Sequence, residues 1–423
     1  MLISDIKVLR QVVDREVQSV RVTDVHTHLY SPRFGDLLLW GVDELITYHY
    51  LIAETFRWLD SPYEHYWKLR RAGAALLPNP QADLIWRTLF LENSPLAESC
   101  RGVLTALSKL GLDVSKRDLD SYRRYFADLR VEDYVDTVFD LSGVKEVVMT
   151  NDPFDDAERE VWLQGPEEDP RFRAALRLDA LLNTWETGGA KLARWGYSVQ
   201  SRLTADTLRE ISRFLREWAE RVQAVYMAVS LPPTFTMPDD SPRGVLIKEC
   251  VLPVCADLNL PFAMMIGVKK LVNPELQLAG DSVGRASIEA VEHLCATYPS
   301  NKFLVTMLSR ENQHELCVAA RKFRNLMPFG CWWFLNNPSL VDGITRMRFE
   351  LLGLGFLPQH SDARVLDQLL YKWDHSRRII ADALFDKYRD LIATGWALEE
   401  SEIKRDVEKL FGGNFWSFVE RKL

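Results

Sequence analysis

Short apolar runs that stop at polar or turn-forming residues recur along the chain and predict β-strands. Eight such runs occur, at 20–25, 144–150, 174–178, 224–231, 261–266, 303–307, 327–333 and 355–358. From the second run onward, most of the intervening stretches carry apolar residues at helical spacing, for example 205–222, 283–298, 313–323 and 340–352. Because strands that alternate with helices form parallel sheets, the pattern predicts an α/β fold, a (β/α)8 TIM barrel.

The stretch 29–143 is too long for a single crossover between two strands. Its helical patterns are broken near Pro78, Pro80 and Gly111, so it predicts an inserted helical subdomain. The insertion leaves strand one at the carboxyl end, where barrel enzymes carry their active sites, and we expect it to lie over the barrel mouth.

The predicted barrel therefore comprises 1–28 and 144–423. It begins with an amphipathic helix, and additional helices follow strand eight from 362 to the end. Two doubly wound domains would show the same alternation of strands and helices. No linker, repeat or change of composition marks a boundary between such domains, so the single barrel is favoured.

Composition narrows the class of protein. Hydrophobic residues make up 47% and charged residues 26% of 423 residues, which is typical of a globular protein with a large core. No run is long enough to span a membrane, and the charged N-terminal helix does not resemble a signal peptide. Six cysteines without paired spacing predict a reducing cytoplasm, and a net charge of -8 argues against a nucleic-acid partner. We expect a homo-oligomer that binds neither a membrane nor a nucleic acid.

Candidate metal ligands follow the first and last predicted strands. Strand one ends in DVHTH, and alternation along a strand turns His26 and His28 to the same side, where both imidazoles can reach one cation. Strand eight adjoins strand one in a closed barrel, so Asp362 can add a carboxylate to this site. Asp362 could also cap the following helix, and the two roles are compatible. His360 is a rival ligand, although a packing role is favoured.

Basic and aromatic residues follow other predicted strands. Three of these residues could make an anion-binding mouth: Arg177, Arg310 and Arg364. Such a mouth would suit a substrate with a carboxylate or many hydroxyls, although Arg177 could instead pair with Asp179. Alternation predicts that one of Trp332 and Trp333 faces a pocket while the other faces the core, without indicating which.

Six segments resemble, in one order along nearly the whole chain, the uronate isomerases of the amidohydrolase superfamily. They are DVHTHL, HYLIAE, ALRLD, SRENQHEL, CWWFLNNP and HSDARV. The similarity is closest to a divergent bacterial branch of this family. The resemblance implies an amidohydrolase-type barrel that interconverts D-glucuronate with D-fructuronate and D-galacturonate with D-tagaturonate.

The resemblance also implies one divalent metal ion and roles for particular residues. Zinc is favoured by two imidazoles and a carboxylate, although manganese or iron would accept the same ligands. For proton transfer through a cis-enediol, Asp362 would act as base by taking a proton from a substrate hydroxyl bound to the metal. Arg364 would hold the hydroxyls at carbons 2 and 3 and stabilise the enediolate. Tyr50, from the insertion, would donate to the carbonyl at carbon 1. Further contacts to a uronic acid substrate would come from His49, Arg177, Arg310, Trp332 and Trp333.

Two positions depart from the family pattern. Met265 stands where many members carry a histidine after strand five, and strand four ends in Ser230 to Pro232 without an acidic residue. Binuclear hydrolases of the superfamily need ligands at such positions, so a mononuclear site is favoured. The alternative enzyme is a mononuclear hydrolase of a sugar-acid lactone or amide, in which Asp362 would activate water. A sugar-acid binding protein without catalysis is a further alternative.

Overall fold

The computed structural model describes residues 2–3, 5–69 and 79–423. At its centre is a parallel seven-stranded sheet in which each strand pairs with the next along the chain. The strands are β1 (Val22–Thr27), β2 (Val144–Asn151), β3 (Phe172–Arg177), β4 (Ala224–Leu231), β5 (Phe262–Ile266), β6 (Phe303–Met307) and β7 (Leu326–Pro328). Nearly all of their side chains are buried, as expected for parallel strands that are covered on both faces.

Residues 357–363 close the barrel although they form no regular strand. On one side they make a parallel bridge to the chain just after β7. On the other side they bond to β1, where the Asp362 N–H donates to the His26 carbonyl at 3.1 Å. The predicted barrel fold is therefore confirmed, whereas the regular strand predicted at 355–358 is wrong.

Strand β7 ends earlier than the apolar run 327–333 predicts. Gly330 follows the strand with φ of +67°, a backbone conformation that glycine adopts readily. A Cβ at this position would lie 2.0 Å from the ring of His360. The chain turns here so that the closing segment can pack against it, and the two following tryptophans leave the strand.

Helices cover the sheet and form most of the remaining described chain. Up to β2 they are α1 (Ile6–Ser19), α2 (Val42–Ile46), α3 (His49–Thr55), α4 (Tyr63–Lys68), α5 (Pro80–Trp86), α6 (Glu98–Lys109), α7 (Leu119–Ala127) and α8 (Val131–Ser142). Between β2 and β7 they are α9 (Asp156–Gln164), α10 (Asp179–Asn183), α11 (Trp185–Arg194), α12 (Ala205–Arg221), α13 (Pro242–Leu246), α14 (Leu252–Asp257), α15 (Glu289–Thr297) and α16 (Gln313–Ala320). After β7 follow α17 (Pro338–Leu352), α18 (Gln368–Ala393), α19 (Glu400–Glu408) and α20 (Asn414–Glu420).

Shorter elements complete the described chain. Short stretches of 3-10 or π-helix lie at Pro32–Leu37, Arg87–Leu91, Val114–Lys116, Ile247–Val251, Pro274–Gly280, Arg310–Asn312, Trp333–Leu335 and Lys409–Gly413. Two-residue strands pair Leu2–Ile3 with Leu398–Glu399 and Val268–Lys269 with Ser282–Val283. No helix in the described part is long and apolar enough to cross a membrane.

The predicted helices at 205–222 and 340–352 agree with α12 and α17 to within two residues. The helix predicted at 283–298 begins only at Glu289, because Ser282–Val283 pair with Val268–Lys269 and a loop at 284–288 follows. The helix break expected at Pro78 lies outside the described residues.

Helices from the stretch 29–143 pack directly on the barrel. Both α6 and α8 lie against α18, the long helix that follows the closing segment. One apolar cluster includes residues of the insertion, such as Leu107, and residues of the barrel, such as Leu370. Because this core is continuous, the division of the chain at 28 and 143 stays a prediction.

Candidate metal and substrate site

Three side chains converge where β1 meets the closing segment. The Nε2 atom of His26 lies 3.7 Å from Oδ1 of Asp362, and the Nε2 atom of His28 lies 3.4 Å from the same oxygen. The candidate ligand atoms all lie within 4.8 Å of one another. Strand β1 includes His26 near its end, and His28 follows two residues later, so alternation places both on the same side.

Burial holds both imidazoles in the neutral form. It lowers the pKa of His26 to about 3, with the neighbouring His28 as the next cause. The pKa of His28 also lies well below its ordinary value, because of burial and the charge of Arg364. The contacts to Asp362 are therefore not ion pairs, and each neutral imidazole keeps one nitrogen lone pair that can bind a cation.

A cation fits between these acceptors. Neither His26 Nε2 nor Asp362 Oδ1 has a hydrogen-bond partner among the described residues, although both atoms are buried. Buried acceptors without a donor are costly, and a divalent ion bound by both would remove this cost. The group of His26, His28 and Asp362 can thus hold one metal ion with coordination positions left open.

Asp362 is held in an unusual backbone conformation. Its φ is +53°, a region that residues other than glycine rarely adopt. The preceding peptide is fixed from both sides: the Ser361 N–H donates to Asp24 Oδ1 at 3.0 Å, and the Lys372 ammonium donates to the Ser361 carbonyl. Asp367, not Asp362, occupies the N-cap position of α18, so the alternative capping role does not hold.

A concave cavity opens at these residues, as is typical of small-molecule sites. Its lining includes most of the residues that the sequence predicts for the site: His26, His28, His49, Arg177, Trp332, Trp333, Asp362 and Arg364. The structure therefore brings together side chains from β1, β3, α3, the loop after β7 and the closing segment.

The arginines of the predicted mouth differ in their surroundings. Arg177 lines the cavity and also pairs with Asp179, with Nε 2.9 Å from Oδ2. Arg364 lines the cavity, and its guanidinium has no hydrogen bond or ion pair with any described residue. Arg310 does not reach the cavity: it is exposed, because the chain beyond β6 bends outward into the turn Arg310–Asn312. The substrate contact predicted for Arg310 therefore stays a prediction that this arrangement does not support.

Both tryptophans after β7 line the cavity. Trp332 also belongs to a buried apolar cluster and is 4% exposed, whereas Trp333 is only partly buried. Both lie beyond the strand, where alternation no longer applies. The indole Nε1 of Trp333 donates to Nε2 of His49 at 3.0 Å. Burial lowers the pKa of His49 to about 3, so its imidazole is neutral and can accept this bond.

Tyr50 lies beside the cavity and does not line it. Its ring faces a neighbouring cavity, which shares Trp333 as a wall and also contacts Phe334 and Lys372. The Tyr50 hydroxyl is buried and has no hydrogen-bond partner in the described part of the chain. The preceding Tyr48 lines the site cavity itself.

Tyr48 and Lys270 line the cavity without having been predicted to do so. Lys270 follows the hairpin strand Val268–Lys269, and its ammonium lies 2.7 Å from Asp281 and 5.8 Å from the centre of the Trp333 ring. Lys270 could have been predicted in the same way as Arg177, because it is a basic residue that shortly follows a strand of the barrel. It was missed because the hairpin was not expected.

Two further residues bear on the ligand set. His360 is buried with its ring 5.1 Å from that of His26, yet it lies outside the group that could hold a metal. A packing role, as favoured from the sequence, agrees with this position. Met265 lines the cavity, so an apolar side chain stands where the family resemblance places a histidine.

Comparison with known proteins gives matches among solved structures. No family model and no curated protein matches the sequence. A uronate isomerase from Bacillus halodurans matches with a TM-score of 0.95 and 57% identity, over 99% of this chain and 98% of that chain. A uronate isomerase from Thermotoga maritima has a TM-score of 0.76 at 13% identity, over 97% of each chain. A glucuronate isomerase from Caulobacter crescentus has a TM-score of 0.76 at 14% identity, over 100% of this chain and 96% of that chain. The last two matches show the fold alone.

Proposed function

We propose a specific reaction for this chain, which belongs to the uronate isomerase family: the reversible conversion of an aldehyde-bearing uronic acid into its 2-keto isomer. The chain is an isomerase. The observation that carries the proposal is 57% identity to a uronate isomerase over essentially the whole length of both chains. The group of His26, His28 and Asp362 beside the unpaired Arg364 supports it independently.

We infer that one divalent cation binds to His26 Nε2, His28 Nε2 and the Asp362 carboxylate. Two neutral imidazoles and a carboxylate favour zinc among the common metals, although manganese and iron accept the same donors. When bound, a divalent cation polarises hydroxyl and carbonyl oxygens and stabilises negative charge that develops on them.

Isomerisation requires a base and a group that stabilises an enediolate. The base removes the proton from carbon 2, and the electrons of that bond form the double bond between carbons 1 and 2 while the carbonyl oxygen gains a proton. Return of a proton to carbon 1 and loss of the proton on the carbon 2 hydroxyl then give the ketose. We assign the base to Asp362 and the stabilising cationic side chain to Arg364, since both line one cavity.

The remaining predicted contacts receive roles in binding and positioning. His49, Arg177, Trp332 and Trp333 wall the cavity and can bind the carboxylate and hydroxyls of the sugar acid. Tyr50 can donate to the carbonyl at carbon 1 because its hydroxyl has no other partner in the described chain. This role requires carbon 1 to lie toward the wall that the two cavities share.

We propose D-glucuronate and D-galacturonate as substrates, with D-fructuronate and D-tagaturonate as products. We also propose a cytoplasmic location, which six free and buried cysteines support, and a homo-oligomeric assembly. Light scattering on the purified chain would measure the assembly directly.

The deciding experiment incubates the Zn2+-loaded protein with each uronate and measures the keto acid formed. We expect conversion of at least one of the two sugars, with exchange of the carbon 2 proton in deuterated water. Asp362→Asn should lower the rate by at least about 1000-fold while the circular dichroism spectrum stays unchanged.

Three outcomes would contradict parts of this proposal. No ketose from either sugar, together with turnover of a sugar-acid lactone or amide, would favour the hydrolase. Binding of a uronate without proton exchange would favour the non-catalytic protein. An active Asp362→Asn variant would remove the base assigned here.

A further inference from the structure

Two hydroxyl groups lie at Nδ1 of His26, the ring nitrogen other than the one that faces Asp362. Tyr226, on β4, places its hydroxyl 3.1 Å from His26 Nδ1, and Thr150, near the end of β2, places its hydroxyl 3.3 Å from the same nitrogen. All three residues are buried, with exposed fractions of 0% for Tyr226, 5% for Thr150 and 1% for His26. The reaction proposed above assigns no role to either hydroxyl.

Both hydroxyl groups already donate their hydrogen atoms to backbone carbonyls. The Tyr226 hydroxyl lies 2.8 Å from the Val25 carbonyl, and the Thr150 hydroxyl lies 2.8 Å from the Thr27 carbonyl. A carbonyl oxygen can only accept, so each hydroxyl donates its single proton to the backbone of β1. Toward His26, both oxygens can therefore act only as acceptors.

The proton of the imidazole must then reside on Nδ1. Two acceptors face that nitrogen, and a bare Nδ1 would set three lone pairs against one another in a buried space. The opposite nitrogen, Nε2, has no hydrogen-bond partner among the described residues and lies 3.7 Å from Asp362 Oδ1. A proton on Nε2 would stay unsatisfied, whereas a lone pair there is available to a cation.

We propose that Tyr226 and Thr150 are positioning residues that hold His26 in the tautomer with the proton on Nδ1, so that Nε2 presents its lone pair to the bound metal. The metal itself rests on the proposed function, whereas the tautomer rests on the hydrogen bonds alone. Partners behind a ligating histidine fix its ring and tautomer, and their loss typically weakens metal binding about 10- to 100-fold.

The tautomer can be measured without any catalytic assay. The metal-free full-length chain, labelled with 15N-histidine, gives long-range 1H–15N correlations whose pattern identifies the protonated ring nitrogen. His26→Gln assigns the signal among the eight histidines. We expect the proton of His26 on Nδ1 at neutral pH, and a proton on Nε2 would overturn the inference.

The effect on metal binding is measured by competition with a chromophoric chelator for Zn2+. The double variant Tyr226→Phe with Thr150→Val should raise the dissociation constant about 10- to 100-fold, because Nδ1 loses both acceptors. Thr150→Ser keeps a hydroxyl and should bind as the wild-type chain does. Tyr122→Phe is a matched control, since it removes a buried hydroxyl that donates to the Asp113 carbonyl away from the cavity.

The outcomes separate this inference from the proposed function. An unchanged dissociation constant in a folded double variant would overturn the positioning role, and if that variant does not fold, the tautomer of the wild-type chain decides. Failure of the wild-type chain to bind Zn2+, with the proton found on Nδ1, would contradict the metal site and leave the tautomer standing.

Discussion

Arg364 is a cationic residue of the site, and its guanidinium forms no ion pair with an acidic residue of the described chain. Arg177 lies in the same cavity, but it donates two hydrogen bonds to Asp179. The formal charge near Arg177 is thus balanced before substrate binds. At the scale of single residues, affinity for an anionic sugar acid and for an enediolate should depend more strongly on Arg364 than on Arg177.

Replacing Arg364 by Met should lower kcat/KM for the preferred uronate by about 10- to 100-fold, because hydrogen bonds to a charged group are worth roughly 1.5 to 3 kcal/mol. Steady-state kinetics on the Zn2+-loaded variant measure the change. Arg310→Met is the matched control, since Arg310 is exposed and lies away from the cavity. Equal losses in the two variants would show that the site does not use Arg364 specifically.

The backbone conformation of Asp362 depends on the residues that surround it. Two buried ionisable groups bind the peptide before it, and burial raises the pKa of Asp24 to about 6 and lowers that of Lys372 to about 8. Burying such groups is costly unless hydrogen bonds compensate, and both bind the Ser361 peptide. Together they hold the left-handed backbone conformation of Asp362.

The closing segment is the element on which the site depends most, because it carries Asp362 and leads directly into Arg364, although it forms no regular strand. Its fit against the end of β7 requires glycine at 330, where an added Cβ would lie 2.0 Å from the His360 ring. Displacing His360 would displace Asp362, the proposed ligand two residues later.

Gly330→Ala should therefore destabilise the protein by roughly 3 kcal/mol or more, through overpacking and a left-handed backbone conformation, and should weaken Zn2+ binding. Urea unfolding and chelator competition measure the two effects. Gly111→Ala isolates the backbone contribution, since Gly111 has a φ of +76° at the end of α6 with nothing within 4 Å of an added Cβ, and should cost only about 1 kcal/mol. If both variants lost the same stability, the contact with His360 would not matter.

At the scale of the whole molecule, the proposed metal site joins the first and last parts of the barrel. His26 and His28 belong to the start of the chain, whereas Asp362 lies more than 330 residues later. A ligand that binds only the folded state stabilises it, by about 2.7 kcal/mol when its concentration is 100 times the dissociation constant.

Zn2+ should thus raise the unfolding temperature by a few degrees relative to the protein treated with chelator. Differential scanning calorimetry with and without Zn2+ measures this shift. His28→Ala should abolish most of the shift, while Arg310→Met should preserve it. A shift of the same size in His28→Ala would place the stabilising ion elsewhere.

Features set by local pattern were predictable from the sequence. Strand β4 and strand β6 occur where their apolar runs begin and end, because side chains buried on both faces leave continuous hydrophobic stretches. The pairing of His26 with His28 follows from the two-residue period of a strand. The assignment of Asp362 to the same group needed only the closure of an eight-membered barrel, which brings the last strand beside the first.

Tertiary packing decided the rest. Both Trp332 and Trp333 line the cavity and Arg310 does not, because the course of a loop depends on what it packs against and has no period that a sequence can reveal. The left-handed backbone of Asp362 is held by partners far away in the chain. The contact of Tyr226 with His26 joins residues 200 positions apart on strands that are not neighbours, so only the closed barrel brings them within hydrogen-bond distance.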